Sequence, residues 1–274
     1  MHPTLVEPET AAAPALDLLA ADPVLRRNAL ADLSPRFAER GAEEVTAVWV
    51  AAGQTGSAAP RHLREVLGSS LTRPVVHQLH ALTREGPALL LLGTTGHSEG
   101  EDLKAQLTRT VQRLSHRTGM PARAGVGPSV DGLDRVRDSA RQAGIALRAA
   151  RRGGDSVRLW SGLGPLSVLL RLPEEDLTPA ALPEEVQRLL RAVPFPDMVR
   201  TLHVYLDHGG NGPAAAQALH IHRTTLYYRL GRISDLTGLD LADGRTRLTL
   251  HMGLALWDLI EADAALAGRP LRVA

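Results

Sequence analysis

Apolar residues in the first two thirds of the chain follow two different periods. Runs rich in Val, Leu and Ala are typical of buried strands, and they occupy positions 45–50, 75–82, 88–92, 122–130 and 157–160. Apolar residues three and four apart are typical of amphipathic helices, and such stripes are Leu63, Val66 and Leu67, then Leu103, Leu107, Val111 and Leu114, then Leu133, Val136, Ala140, Ala143 and Leu147. A Gly-Pro loop at 83–87 is typical of a hairpin. Strands interleaved with helices predict an open mixed sheet packed by helices.

The remaining segments give the predicted domain boundaries. Residues 1–14 show no period and are expected to form a disordered leader, and 16–37 indicate one or two helices broken by Pro23 and Pro35. Residues 173–196 contain five prolines around a charged, helix-like middle and are predicted to be a linker. We therefore expect an α+β fold class: a leader with N-terminal helices at 1–40, a mixed α/β sheet domain at 41–172, an all-α domain at 197–262 and a tail at 263–274.

Residues 211–233 have the pattern of two short helices joined by a tight turn. Asn211 can cap the first helix, Pro213 suits its first turn, and several alanines let another helix approach closely. After a turn at 220–221, a second helix is marked by an apolar stripe of Leu226, Leu230 and Ile233. A plain three-helix bundle would show the same pattern, so the stripe alone does not establish a function.

The opposite face of the second helix carries the candidate chemistry. At about 100° per residue, its members are Thr224 and Tyr228 opposite the stripe, Tyr227 and Arg232 beside them, and Arg223 and Thr225 in the first turn. A helix-turn-helix presents this first turn to base edges in the major groove, where an arginine can pair bidentately with guanine. Arg223 is predicted for that role, and His222 is predicted to cap the helix.

The amino-acid sequence of residues 209–230 resembles that of a known family. It is similar to the Fis-type helix-turn-helix of PucR/CdaR-family transcriptional regulators, through Gly209, Gly210, Asn211, Ala215, Ala216, Leu219, His222, Arg223, Thr225, Leu226, Tyr228, Arg229 and Leu230. The resemblance implies sequence-specific binding to double-stranded DNA, with Arg223 on base edges and Thr225 on phosphate. It implies supporting contacts from His222, Thr224, Tyr227, Tyr228 and Arg232. The family usually has Asn where this chain has Thr224, which lacks the amide that pairs with adenine.

The sheet domain resembles the degenerate GGDEF-like domain of the same family, more loosely, through segments 123–152 and 157–172. A diguanylate cyclase needs carboxylates at the end of its first strand and in the central hairpin to hold Mg²⁺. Here the first strand ends in Ala51-Ala52-Gly53, and the hairpin offers Glu85 alone. Gly153-Gly154-Asp155 spells part of the signature but precedes the last strand, and a turn is expected there. We therefore predict that the chain is not an enzyme and needs no cofactor.

Composition bears on the location of the protein, on the charge of the second helix and on metal binding. The net charge is +1, with no cysteine, and no segment has the length and apolarity of a membrane span, so a cytoplasmic protein is expected. From 222 to 234 there are three arginines and no acid, which makes the second helix locally positive. His203, His208, His220 and His222 lack partners at zinc-finger or zincin spacing, so no metal site is predicted.

Affinity from one such module should be modest, so a homodimer on two half-sites is expected. The first half of the chain also has room for an effector, either a small molecule or another protein, whose identity the sequence does not reveal. The competing hypothesis is a non-catalytic signalling or scaffold protein, in which the GGDEF-like half binds a partner or small effector and the helical half dimerises.

Overall fold

The computed structural model describes residues 9–10, 12–53, 66, 71–72, 75–83, 87–96, 100–193 and 196–266. The chain divides into two compact units, Met1–Arg171 and Leu172–Ala274. In these described residues the first unit combines a sheet with helices, and the second is helical. The predicted α+β class, a mixed sheet domain followed by an all-α domain, is confirmed.

Six strands within the described residues form one mixed sheet in the first unit. They are β1 (Glu9–Thr10), β2 (Glu44–Ala52), β3 (Val75–Leu82), β4 (Ala88–Thr94), β5 (Ala122–Val130) and β6 (Val157–Leu159). Their spatial order is β1-β3-β4-β2-β5-β6, with β2 antiparallel to β4 and β5, and with β1/β3 and β5/β6 parallel. All of β4 is buried, as is all of β2 except the half-buried Trp49, because both faces of the sheet are covered.

Helices supply that cover. The first unit contains α1 (Ala12–Asp17), α2 (Pro23–Glu39), α3 (Gly100–Thr118), α4 (Val136–Gly153) and the single turn α5 (Leu166–Leu169). One core joins α1, α2 and the start of α4 to the sheet, and includes Leu33, Phe37 and Leu91. The other joins α3 to the opposite face through Leu107 and Val111. The N-terminal helices therefore contribute to the core of the sheet unit.

The approach of α4 to β5 explains two glycines. A Cβ on Gly125 would overlap the α4 backbone at Leu147, and one on Gly127 would overlap the Ser139 carbonyl. The Ser139 hydroxyl donates to the Pro128 carbonyl at 2.7 Å and accepts from the Ala47 N–H at 3.0 Å. Glycine at both positions lets the helix pack against the strand at backbone distance.

Two predictions for the N-terminal segment are wrong, the helix break at Pro35 and the disordered leader, whereas the predicted break at Pro23 is present between α1 and α2. Pro23 begins α2, where its missing N–H has no intrahelical partner to lose, and the Asp22 carboxylate accepts from the Val24 N–H at 2.8 Å. Pro35 lies inside α2, which continues to Glu39 because the same turns bury residues of the core. In the predicted leader, Glu9–Thr10 pair with β3 and α1 begins at Ala12. The helix predicted at 60–71 lies outside the described residues apart from Val66 and Leu71, as does 84–86 of the hairpin loop.

The second unit is a bundle of α6 (Glu184–Ala192), α7 (Pro196–Asp207), α8 (Gly212–Ala218), α9 (Arg223–Thr237) and α10 (Gly244–Leu266). The helix-like middle of the segment predicted as a linker, 173–196, is α6, which buries Val186 and Leu189. Val186 lies against Gly253 of α10, where a Cβ would overlap it, and the Arg188 guanidinium donates to the Thr237 carbonyl at 3.4 Å. Among the described residues, no helix is both long and apolar enough to cross a membrane.

Candidate nucleic-acid interface

The first helix of the motif, α8, is held by its cap and by small side chains. The Asn211 side chain accepts from the Ala214 N–H at 3.1 Å, and Pro213 lies in the first turn. Ala215 and Ala216 are buried, so neighbouring helices lie close to the α8 backbone. These are the roles that the sequence predicted for the cap and the alanines.

The turn between α8 and α9 contains a strained residue. His220 has φ of 53°, the left-handed region that side chains other than glycine rarely adopt. The Ile221 N–H next donates to the Ala216 carbonyl at 3.0 Å and closes the end of α8. The chain thus leaves one helix and enters the next within four residues, 219–222.

The start of α9 is capped by His222. Its Nδ1 accepts from the Thr224 N–H at 3.3 Å and lies 2.8 Å from the Thr224 hydroxyl. The capping role predicted for His222 is confirmed. The same contact occupies the Thr224 hydroxyl locally, which the sequence did not predict.

The inward face of α9 follows the predicted stripe. Leu226, Leu230 and Ile233 are buried, and α9 packs against α6, α7 and α8 with this side. At the far end Gly238 adopts the left-handed conformation with φ of 69° and ends the helix. The stripe therefore fixes which side of α9 remains outside.

The outward face carries the predicted site residues. Tyr228 is 72% exposed and Tyr227 51%, while Thr225 is half-buried. The remaining members, all exposed, are His222, Arg223, Thr224 and Arg232. Within the part of the chain that the structure describes, neither Arg223 nor Arg232 makes an ion pair. Six of the seven predicted positions are exposed side by side on one surface of the unit.

Two residues on α9 have packing roles. The Arg229 guanidinium donates from Nη1 to the Thr201 hydroxyl of α7 at 2.9 Å, in a half-buried position. A Cβ on Gly212 would overlap the Tyr227 ring and hydroxyl, so Tyr227 covers the start of α8 with one edge. Both contacts join residues far apart in the chain, and no local period could have predicted them.

The helices on either side of the motif are also capped, by two glycines of the family pattern at the end of α7 and by Asp243, outside the quoted pattern, at the start of α10. Gly209 and Gly210 end α7 with φ of 63° and 82°, and the Gly210 N–H donates to the Tyr205 carbonyl at 2.9 Å. Asp243 begins α10 by accepting from the Thr246 N–H at 2.7 Å. The Thr246 backbone and hydroxyl hydrogen bonds lower the pKa of the Asp243 carboxyl below its usual range.

A cleft of about 530 Å³ lies on another side of the second unit, among α6, α7 and α10. Its walls include Val199, Leu254 and Trp257, and its rim includes Arg200 and Asp258. Partial burial raises the pKa of the Asp258 carboxyl, with His203 opposing and Asp207 reinforcing the shift. The cleft does not include any residue of the outward face of α9.

In the first unit, the segment Gly153-Gly154-Asp155 is the end of α4. Gly154 adopts the left-handed conformation with φ of 75° as the helix C-cap, and Asp155 forms an ion pair with Arg158 at 2.5 Å. The prediction of a turn is confirmed. The described end of β2 is Ala51-Ala52, without a carboxylate.

Comparison with known protein families assigns both units. Residues 31–149 match the GGDEF-like domain, and residues 198–256 match the PucR C-terminal helix-turn-helix domain. The chain therefore contains the two domains that the resemblance implied, a GGDEF-like domain and a PucR-type helix-turn-helix domain. The resemblance noted from the sequence is confirmed for both halves, and the helix-turn-helix match covers α7 to α9 and much of α10.

Individual curated relatives are similar to this chain over different shares of its length. The carbohydrate diacid regulator of Escherichia coli (strain K12) is 29% identical over 216 residues, 77% of this chain and 56% of the relative. The transcriptional activator PmfR of Paenarthrobacter nicotinovorans is 32% identical over 155 residues, which are 56% of this chain and 31% of the relative. The proline-responsive transcriptional activator PutR of Bacillus subtilis (strain 168) is 40% identical over 60 residues, which are 22% of this chain and 15% of the relative. The chain thus spans about half or less of these relatives.

Proposed function

We propose that the chain is a transcriptional regulator that binds double-stranded DNA sequence-specifically and reads the major groove with the start of α9. The observation that carries the proposal is the outward face of α9, where exposed polar and aromatic side chains stand opposite a fully buried leucine stripe. The matched relatives are named as regulators and activators of transcription, which supports the same role.

Within this proposal each residue has a role suited to its position. Arg223 lies in the first turn, exposed and without an ion pair among the described residues, so its guanidinium is available to a guanine edge. Thr225 lies beside the helix N-terminus, where a hydroxyl and free N–H groups suit a phosphate. Tyr228, Tyr227 and Arg232 continue the face away from the first turn. The contribution of Thr224 is reduced, because its hydroxyl lies at His222.

Local charge supports DNA as the partner. Arg223 and Arg232 are exposed on α9, and no acid lies between His222 and Ser234. The chain as a whole has a net charge of only +1, so a broad basic surface does not assist. Binding by one motif should be weak, and we propose a homodimer on two half-sites about one helical turn apart. Leu248 of α10, 64% exposed, offers apolar surface for such contact.

The sheet unit is proposed to be non-catalytic. The β2 end lacks the carboxylate that a Mg²⁺-dependent cyclase uses there. An effector would bind this unit or another part of the protein. Because the proposed partner is DNA, we also propose that the protein acts in the cytoplasm. The competing function, a scaffold whose helical unit only dimerises, would leave the α9 face without a ligand.

Selection from a random duplex library tests the proposal without knowledge of the operator. We expect the full chain to enrich a motif with two related half-sites, bound more tightly than its scrambled version, with strong dependence on salt. Enrichment of no sequence above the scrambled level would overturn the proposal and favour the scaffold. Product formation from GTP and Mg²⁺ would contradict the non-catalytic assignment alone.

A further inference from the structure

Two histidines and an aspartate of the second unit converge on one point. His203 and Asp207 are one turn apart on α7, which places both side chains on the same face, and His251 comes from α10. One potential ligand atom from each residue lies within 4.8 Å of the other two. The Asp207 Oδ1 is 2.8 Å from His251 Nε2 and 3.9 Å from His203 Nε2. We call these three residues the His-Asp cluster.

A fourth residue, Asp258, lies beside the cluster. With His203 Nε2 directed towards Asp207, its other ring nitrogen, Nδ1, lies 3.4 Å from the Asp258 carboxylate of α10. Histidines that bind metals commonly donate their second N–H to a carboxylate, which fixes the tautomer and strengthens the ligand nitrogen. This contact is separate from the convergence of the three ligand atoms and points to the same use.

We propose that the His-Asp cluster binds one divalent transition-metal cation, with Zn²⁺ as the best match, and that Asp258 orients His203. Two imidazoles and one carboxylate are ligands that Zn²⁺ accepts at about 2.0–2.2 Å. Tetrahedral coordination at that length separates ligand atoms by about 3.4 Å, between the 2.8 and 3.9 Å observed. Asp207 and Asp258 supply negative charge for a dication.

Access and coordination number agree with this assignment. The side chains of His203, Asp207 and His251 are 23%, 51% and 37% exposed, so a cation can enter from solvent. Three protein ligands leave the fourth position to water.

The bound cation would cross-link α7 to α10 within the second unit. Since α7 also carries Thr201, the partner of Arg229 on α9, the cation would stabilise the helices that support the motif. No metal site is predicted from the sequence, because His251 lies 44 residues from Asp207. The other histidines considered lie elsewhere: the His208 Nδ1 is 2.8 Å from the Val204 carbonyl of its own helix, and His222 caps α9.

Direct metal titration of the full chain tests the site. Protein without a histidine tag, treated with chelator, is titrated with Zn²⁺ by calorimetry and with Co²⁺ by visible absorption. We expect one equivalent per chain and a Zn²⁺-dependent rise in the melting temperature. His203→Gln and His251→Gln should each weaken Zn²⁺ binding at least tenfold, and Asp258→Asn about 10- to 100-fold. His208→Gln and Asp235→Asn, exposed residues outside the cluster, are the matched controls and should bind like the unchanged chain.

Histidine side-chain NMR of the unchanged chain supplies a readout that needs no variant. Zn²⁺ should shift the imidazole signals of His203 and His251 and leave those of His208 and His220 in place. The proposal is overturned by the absence of saturable binding at one equivalent, by unshifted His203 and His251 signals, or by equal losses in the controls. Any of these results would leave a metal-free hydrogen-bonded cluster.

Discussion

Arg229 is predicted to stabilise the helical unit and not to bind DNA. Arg229 follows Tyr228 in the sequence pattern that resembles the family. Its position on α9 alone would suit either a packing role or a DNA contact. The structure directs its guanidinium to the Thr201 hydroxyl of α7 at 2.9 Å. Thr201 is fully buried, and its own hydroxyl donates to the Asp197 carbonyl at 2.6 Å, which leaves the oxygen free to accept from Arg229.

The cost of Arg229→Ala follows from these two hydrogen bonds. A hydrogen bond to a charged donor contributes about 1.5–3 kcal/mol. The Thr201 hydroxyl keeps its Asp197 partner when the guanidinium is removed, so no buried donor is left unpaired. We therefore expect the lower part of that range, a loss of about 1.5–2 kcal/mol in the free energy of unfolding.

Hydrogen exchange followed by mass spectrometry can locate this loss. In Arg229→Ala, amides of α7 and α9 should exchange faster while those of the sheet unit are unchanged. Arg232→Ala is the matched control, because Arg232 is exposed on the same helix. It should change stability by less than about 0.5 kcal/mol but reduce the salt dependence of DNA binding by about one phosphate contact. Unchanged exchange in Arg229→Ala together with a reduced salt dependence would refute the reasoning.

Two further predictions concern other parts of the molecule. Gly125→Ala should destabilise the sheet unit by about 3 kcal/mol or more in urea unfolding, because its Cβ would overlap the α4 backbone. Gly144→Ala, whose Cβ would make only ordinary van der Waals contact with the Trp49 ring, is the control. Equal stability of the two variants would contradict the packing argument. Hydrogen bonds lower the folded pKa of the Asp243 carboxyl below its usual range. The stability that it contributes is therefore present above the unfolded pKa and is lost as pH falls through the folded pKa. Melting temperatures of Asp243→Asn should therefore fall less in acid than those of the unchanged chain, and parallel pH profiles would disprove this.

Local periodicity is sufficient to predict most of the helices and strands. The runs 75–82 and 122–130 have the bounds of β3 and β5, and each follows directly on a proline, Pro74 or Pro121. The stripe of Leu226, Leu230 and Ile233 gave the buried face of α9, and with it the outward face that forms the candidate site. The caps at Asn211 and His222 depend on neighbours two or three residues away, so the sequence contained them.

Features that depend on distant residues could not be predicted in this way. The prolines of 173–196 suggested an open linker, but the burial of Val186 depends on Gly253, far along the chain. The contact of Arg229 with Thr201 spans 28 residues and that of His251 with Asp207 spans 44. Only the fold brings such pairs together, so the role of Arg229 and the His-Asp cluster required the structure.

The central claim is that the outward face of α9 reads duplex DNA, and Arg223 tests it most directly. Affinity of the full chain for its selected site is measured by fluorescence anisotropy for Arg223→Ala and for Arg141→Ala, a control that removes an exposed arginine from α4. We predict a loss of about 1–3 kcal/mol, roughly 5- to 150-fold, and a relaxed base preference for Arg223→Ala alone. Unchanged affinity and preference in Arg223→Ala would contradict the account.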